Sequence, residues 1–208
     1  TSLEMLAERY SHFVFDCVGV LFHSHDEIGQ AFAALRYLQS MGRQVYVFTN
    51  ATTRTREVLA EKLWKDHQYD GLPLENIYTA SYLTAMYLRD KLQAGESAFI
   101  IGEDGFKDEL MNFGVKVANR EFDERSSMSV TQLLDLEIDE SVKAVIVGTD
   151  FRLNMHKMAL ASLYINNGAE LIGTNIDRND GKVRLRPSGG SLTRLVEMGS
   201  GMSSSLLG

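Results

Sequence analysis

The sequence lacks three features that would each have pointed to a particular class of protein: paired cysteines, a long apolar run and an excess of basic residues. A single cysteine, Cys17, excludes an internal disulfide and fits a reducing compartment. No apolar run approaches the roughly 20 residues that a bilayer-spanning helix needs. The net charge of −7 argues against nucleic acid, because a phosphate backbone attracts a basic surface. We therefore expect a protein of the cytoplasm or an organelle matrix, not secreted, with no nucleic-acid or membrane partner.

What is present is typical of a folded chain. Apolar residues make up 44% and charged residues 24% of 208 residues, enough to bury a real core. Two short apolar runs, 12–16 and 45–48, predict strands that are buried on both faces. A helical periodicity lies between them and ends at Gly42, which suits a helix C-terminus. Strand, helix, strand and helix in this order predict a parallel sheet with right-handed crossovers.

A second strand–helix series begins near residue 98 and can form a small sheet of its own. After a turn-rich segment, 175–190, the last helix is expected at 191–198. The Gly/Ser-rich residues 199–208 are interpreted as a linker. The remaining elements of this series are strands at 98–101, 115–118, 143–148 and 170–173, with helices at 103–113 and 154–166.

Two polar residues end the first two predicted strands, and ligands of open α/β sheets bind at such ends. Asp16 could act as a nucleophile toward phosphorus, forming an aspartyl-phosphate. The Thr49 hydroxyl and nearby loop amides could hold the phosphoryl oxygens, while Gly19 would let the chain turn beside the nucleophile. Aspartate and Thr-Asn are also common in turns, and on position alone that structural interpretation is favoured.

Six segments, taken together with their order and spacing, change this balance. The chain carries, in sequence order, the following segments: 15–21 (Phe-Asp-Cys-Val-Gly-Val-Leu), 49–56 (Thr-Asn-Ala-Thr-Thr-Arg-Thr-Arg), 148–150 (Gly-Thr-Asp), 173–177 (Gly-Thr-Asn-Ile-Asp), and 187–190 (Pro-Ser-Gly-Gly) followed by 195–198 (Leu-Val-Glu-Met). The ordered set resembles the haloacid dehalogenase superfamily, in particular its 4-nitrophenylphosphatase and phosphoglycolate phosphatase branch. The resemblance covers nearly all of residues 10–208.

The resemblance implies a doubly wound, Rossmann-like core with an inserted α/β cap domain. The core would comprise residues 1–82 and 178–208 and be C-terminally incomplete, and the cap would comprise residues 83–177. It also implies Mg²⁺ as cofactor and a small phosphate ester as substrate, such as 4-nitrophenyl phosphate or 2-phosphoglycolate. The implied site residues are Asp16 as nucleophile, Thr49, Asn50 and Gly19 for phosphate, Asp16 and the Val18 backbone carbonyl for the metal, and Asp150, Lys157, Asn175 and Asp177 on the cap side.

The sequence departs from the family pattern in ways that argue for weakened activity. Val18 stands where the phosphatases carry their second aspartate, a general acid and base whose loss typically costs a factor of about 10² to 10⁴. After Gly208 the family continues into a Lys-Pro motif and later an acidic fourth motif. Without that acid, Asp16 and one carbonyl are a poor magnesium site, because hard cations need several oxygen ligands. Ala51 and Ser188 are smaller departures.

Three functions stay open at this point. The chain could be a phosphatase, or a non-catalytic phosphatase-derived domain whose incomplete core edge is covered by another protein chain. It could also be a dehalogenase, since such relatives lack the second aspartate. Cys17 is expected to face the core, the His23-x-His25 pair to be solvated rather than metal-binding, and Lys157 with Arg152 to be candidates for steering an anion.

Overall fold

The computed structural model describes residues 2–121, 129–180 and 186–207. The chain forms two compact units, which are described separately. Residues 1–49 and 56–79 form the first unit, and residues 50–55 and 80–208 form the second. Among the described residues, no helix is long and apolar enough to cross a membrane.

The first unit is built on a small parallel sheet. Its elements are, in chain order, α1 (Leu3–Arg9), β1 (His12–Asp16), β2 (Phe22–His23), β3 (Asp26–Glu27), α2 (Ala31–Ser40), β4 (Gln44–Thr49), α3 (Arg56–His67) and β5 (Ile77–Thr79). The sheet has the order β1-β4-β5, and both of its pairings are parallel. Strands β2 and β3 form a separate antiparallel hairpin. The predicted adjacency of the first two long strands is therefore confirmed.

One face of this sheet is buried and the other is open. Strand alternation directs Val45 and Val47 into a core that also contains Leu35 of α2 and Leu63 of α3. On the opposite face, the side chain of Val14 is 62% exposed and that of Phe48 is 42% exposed. Within the described ranges, nothing pairs with the outer edge of β1. The first unit thus has a single layer of helices over its sheet, and the prediction that these two strands are buried on both faces is wrong.

The second unit is a doubly wound sheet. Its elements are α4 (Ala80–Lys91), β6 (Ser97–Ile101), α5 (Asp104–Asn112), α6 (Val130–Leu134), β7 (Val142–Val147), α7 (Met155–Asn166), β8 (Glu170–Gly173), β9 (Asn179–Asp180), β10 (Arg186–Pro187), α8 (Gly189–Ser200) and β11 (Ser205–Leu206). The four-stranded parallel sheet has the order β11-β8-β7-β6. Helices α4 and α5 contribute to the core on one side of it, and α7 and α8 contribute on the other. The predicted second sheet is confirmed.

Several expectations about the second unit need correction. Residues 199–208 were expected to be a linker, but residues 199–207 are not one, because β11 pairs in parallel with β8 and Leu207 packs against the core. Residues 115–118 form only an isolated bridge through Val117. A capped helix, α6, lies between the strands predicted at 115–118 and 143–148, where no helix was predicted; residues 122–128 are outside the described residues.

The division of the chain also differs from the predicted one. Residues 178–208 were expected to join the first domain, but α8 packs against α7 and β11 extends the second sheet. The structure therefore places them in the second unit with residues 80–177. The physical reason is the apolar stripe of α8, from which Leu192 and Val196 enter the core beside α7.

Candidate active site

Asp16 and Thr49 lie at the same edge of the first sheet. The parallel register places Asp16 opposite Phe48, so that Thr49 lies one residue further along the neighbouring strand. Thr49 is in turn paired with the buried Thr79 of β5. Carboxyl ends of parallel strands meet at one edge, where ligands of such sheets bind.

The two side chains belong to opposite faces of the sheet within their strands. Asp16 shares the open face with Val14, whereas Thr49 continues the alternation of Val45 and Val47. A ligand would therefore be held across the strand ends, where backbone N–H groups are available, and not on either face.

The turn after β1 shapes the surroundings of Asp16. Its Oδ1 accepts a hydrogen bond of 2.7 Å from the Cys17 N–H. The chain then reverses, because the Leu21 N–H donates to the Cys17 carbonyl and the Gly19 N–H donates to the Phe22 carbonyl, each at 2.9 Å. Gly19 has φ of +95°, a left-handed value that favours glycine. The expected sharp turn beside the carboxylate is confirmed.

Position 18 is open to solvent and lies close to Asp16 along the chain. The side chain of Val18 is 54% exposed, and Cys17 between the two residues is buried in the core. The expectation that Cys17 faces the core is confirmed. Val18 carries no group that moves a proton, so the side chain at this position supplies no acid or base.

The hairpin after this turn carries His23 and His25, two of the chain's five histidines. The Nδ1 of His25 lies 2.9 Å from the Asp66 carboxylate, which also binds Lys62. The hydrogen bond from Lys62 lowers the pKa of Asp66, and burial between aromatic rings lowers the pKa of His67. His67 stacks against Phe22 and Phe32, with ring centroids 5.0 and 4.5 Å away.

Asn50 follows Thr49 but packs with the second unit. Its side-chain amide donates a hydrogen bond of 2.8 Å to Oδ2 of Asp177. The N–H of Asp177 donates at 3.0 Å to Oδ1 of Asn175, a residue that is buried. Three residues that were predicted separately, two of them for the cap side, are thus connected by hydrogen bonds.

Asp150 and Lys157 form a buried ion pair. The Lys157 ammonium lies 2.7 Å from Oδ2 of Asp150, and both side chains are fully buried. Oδ1 of Asp150 accepts from the Arg152 N–H, and Asn154 caps the helix that carries Lys157. Lys157 therefore does not present its charge to solvent. Arg152 pairs with Glu103 and Asp104 on the same unit.

The oxygen donors for a metal are few. Asp16 and the Val18 carbonyl are the ligand types that magnesium prefers. Across the part of the chain that the structure describes, no group of three or more histidine, cysteine, aspartate or glutamate residues is placed to hold a metal ion.

Comparisons with known proteins agree with this fold. Residues 13–116 match the model of the haloacid dehalogenase-like hydrolase family. The acid sugar phosphatase of Staphylococcus aureus is 30% identical over 202 residues, which is 97% of this chain and 70% of that protein. Most of that sequence therefore has a counterpart here.

Solved structures show the same architecture. A thermostable NPPase of Geobacillus stearothermophilus is 28% identical, with a TM-score of 0.73 over 96% of this chain and 70% of that one. The glycerol phosphate phosphatase of Mycobacterium tuberculosis in complex with magnesium is 22% identical, with a TM-score of 0.76 over 97% of this chain and 56% of that one. At this lower identity, the second likeness shows the fold alone.

The fold is that of a parallel α/β protein with a second α/β unit. This chain belongs to the haloacid dehalogenase-like hydrolase family, and phosphatases are among its relatives.

Two features of the site were missed from the sequence. No strand was predicted at the β2–β3 hairpin, although Phe22 within it is an apolar residue that reaches the core. The hydrogen bond between Asn50 and Asp177 joins residues that are 127 positions apart, and a contact at such a separation cannot be predicted from a single sequence.

Proposed function

We propose that this chain is a phosphomonoester hydrolase in which Asp16 is the nucleophile. The observation that carries the proposal is the position of Asp16 and Thr49 at the same carboxyl edge of neighbouring parallel strands. Membership of a hydrolase family with phosphatase relatives supports it. The substrate class is a small phosphate ester, of which 4-nitrophenyl phosphate and 2-phosphoglycolate are examples.

The chemistry assigned to Asp16 has two steps. A carboxylate oxygen attacks phosphorus, and the bond from phosphorus to the ester oxygen breaks with its electron pair on the leaving oxygen. Water then attacks the aspartyl-phosphate, which releases inorganic phosphate and restores the carboxylate. Backbone N–H groups at the strand ends and the Thr49 hydroxyl would hold the phosphoryl oxygens.

Val18 determines which leaving groups are tolerated. An alkoxide must take a proton as it leaves, and with valine at this position that proton comes from solvent. A nitrophenolate is stable as an anion and needs none. We therefore expect aryl phosphates with acidic leaving groups to be hydrolysed faster than alkyl phosphates.

Magnesium enters this proposal only as a supplement to these residues. Asp16 and the Val18 carbonyl would hold it, with water and substrate oxygens as the remaining ligands, as is usual for this ion. When bound, it would neutralise charge on the phosphoryl group. The glycerol phosphate phosphatase relative was solved with magnesium, which motivates its presence in the assay.

The test compares wild type, Asp16→Asn and a matched control, Asp70→Asn, with 4-nitrophenyl phosphate and magnesium. Asp70 is an exposed aspartate of the same unit. We expect phosphate release by wild type and by the control, and none above background by Asp16→Asn. Equal release by all three proteins, or none by wild type, would refute the proposed function.

A second function is favoured by the open face of the first sheet. The exposed Val14 and Phe48 suit association with another protein chain, as does the outer edge of β1, which no strand among the described residues pairs with. In this alternative the chain is a non-catalytic subunit of a larger complex. It predicts that Val14→Lys abolishes association measured by light scattering; a monodisperse, cooperatively unfolding wild-type monomer would remove its support.

A further inference from the structure

The segment Asn50–Thr55 directly follows Thr49 and is built into the second unit. The hydroxyl of the buried Thr52 accepts a hydrogen bond of 3.1 Å from the Thr149 N–H at the end of β7. The carbonyl of Ala51 accepts one of 3.4 Å from the Ser81 N–H at the start of α4. Two separate elements of the second unit thus bind a segment that continues the first.

Two glycines leave room for this segment. A Cβ added at Gly105 would lie 2.6 Å from both Arg54 Cα and the Thr53 carbonyl oxygen, a distance that a real side chain cannot occupy. A Cβ added at Gly148 would lie 3.0 Å from the Thr52 hydroxyl. The close approach fixes the path of the backbone after Thr49.

Asn50, the first residue of the segment, binds the carboxylate of Asp177, and the backbone of Asp177 is in turn fixed by hydrogen bonds. The Asp177 N–H is bound by Asn175, and its carbonyl accepts a hydrogen bond of 3.0 Å from the Gly190 N–H. A Cβ at Gly190 would lie 2.6 Å from that carbonyl oxygen, so this contact also depends on glycine. The backbone of Asp177 therefore has little freedom.

An ionised carboxylate only accepts hydrogen bonds, whereas an amide offers both a donor and an acceptor end. Asp177 can therefore bind Asn50 only through its NH₂ group, and the alternative amide orientation would bring two oxygens together. The charge on Asp177 selects one orientation of the Asn50 carboxamide.

We propose that Asp177 is a positioning residue that fixes the Asn50 carboxamide and, through it, the backbone next to Thr49. This inference rests on the proposed function, in which Thr49 and the strand-end amides hold the phosphoryl group. Its consequence is that substrate binding depends on a residue 127 positions further along the sequence from Asn50.

The experiment uses Asp177→Asn, Asn50→Asp and the double variant Asn50→Asp/Asp177→Asn. The control is Asp108→Asn, which alters an exposed carboxylate of the second unit that pairs with Arg120. Three properties are measured: the ¹H–¹⁵N signal of the Asn50 side-chain amide, the melting temperature, and KM and kcat for 4-nitrophenyl phosphate.

We expect Asp177→Asn to shift the Asn50 amide signal and to raise KM about tenfold, because a charge-assisted hydrogen bond is lost, while kcat changes by less than about threefold. Asn50→Asp, which opposes two carboxylates, should lower the melting temperature, and the double variant should recover much of that loss because donor and acceptor are exchanged. Asp108→Asn should change none of these.

The outcomes separate the inference from the proposed function. An unshifted amide signal in Asp177→Asn, additive melting temperatures in the double variant, or a KM equal to that of Asp108→Asn would overturn the inference while hydrolysis continues. If wild type hydrolyses nothing, the proposed function fails, and the amide signal and melting temperatures alone decide whether Asp177 holds Asn50.

Discussion

Val18→Asp tests whether position 18 limits the chemistry at Asp16. Val18 is 54% exposed, so a carboxylate at this position stays hydrated and the protein does not bear the cost of burying an unpaired charge. Cys17 between the two residues faces the core, which leaves positions 16 and 18 on the other side of the chain. An aspartate at position 18 would thus be near the reacting group in an environment suited to proton transfer.

The expected gain follows from the leaving group. General acid–base catalysis typically contributes a factor of about 10² to 10⁴, or roughly 2.7 to 5.4 kcal/mol of barrier. Hydrolysis of an alkyl phosphate, whose leaving oxygen needs a proton, should be accelerated by this whole factor. For 4-nitrophenyl phosphate the first step needs no acid. Only the attack of water on the aspartyl-phosphate is accelerated, so the increase in rate should be smaller.

The assay measures inorganic phosphate released from glycerol phosphate and from 4-nitrophenyl phosphate by wild type, Val18→Asp and a matched control, Val20→Asp. Val20 is 45% exposed and lies in the same turn. Substitution of exposed residues should change the free energy of unfolding by no more than about 0.5 kcal/mol, which thermal unfolding checks. The reasoning is refuted if both variants have the same activity, or if the two substrates gain equally.

Three further predictions concern stability. Gly190→Ala should destabilise the protein by about 1–3 kcal/mol or more, because its Cβ would meet backbone atoms at 2.4–2.6 Å. Gly199→Ala in the same helix should instead stabilise the protein by about 0.5–1 kcal/mol. If denaturant unfolding ranks the two variants the other way, the packing described is contradicted. Lys157→Ala should cost about 3–5 kcal/mol, because it leaves the buried carboxylate of Asp150 unpaired, and an unchanged melting temperature would show that this pair is not buried as described. Burial lowers the pKa of His67 below its ordinary value of 6.5, so the unfolded chain binds the proton more tightly than the folded chain. The free energy of unfolding should therefore fall as the pH decreases through that value. His67→Phe should flatten this dependence between pH 7 and the folded-state pKa, and an identical pH profile would contradict the prediction.

The elements that sequence reasoning predicted are those with strong local patterns. The runs at 12–16 and 45–48 became neighbouring parallel strands because residues 13–15 and 45–48 are all β-branched or aromatic, which suits a pleated sheet. Gly42, expected just past a helix, has φ of +73° after α2. Asp16 and Thr49 could be assigned to one edge because parallel strands leave their carboxyl ends together.

The elements that it missed depend on distant partners. Strand β11 consists of Ser205 and Leu206 within a Gly/Ser-rich stretch, and only its pairing with β8 makes it a strand. Lysine in a helix is usually exposed to solvent, but Lys157 is buried because it pairs with Asp150 on the preceding loop. Each of these features is created by tertiary contacts, which override local preference.

The account depends on Asp16 becoming phosphorylated, and this can be measured directly. Wild type, Asp16→Asn and Asp70→Asn are mixed with 4-nitrophenyl phosphate and magnesium, quenched in acid, and the peptide that contains residue 16 is analysed by mass spectrometry. We predict one added phosphoryl group on Asp16 in wild type and in Asp70→Asn, and none in Asp16→Asn. Substrate turnover without this adduct, or an adduct on another residue, would contradict the account.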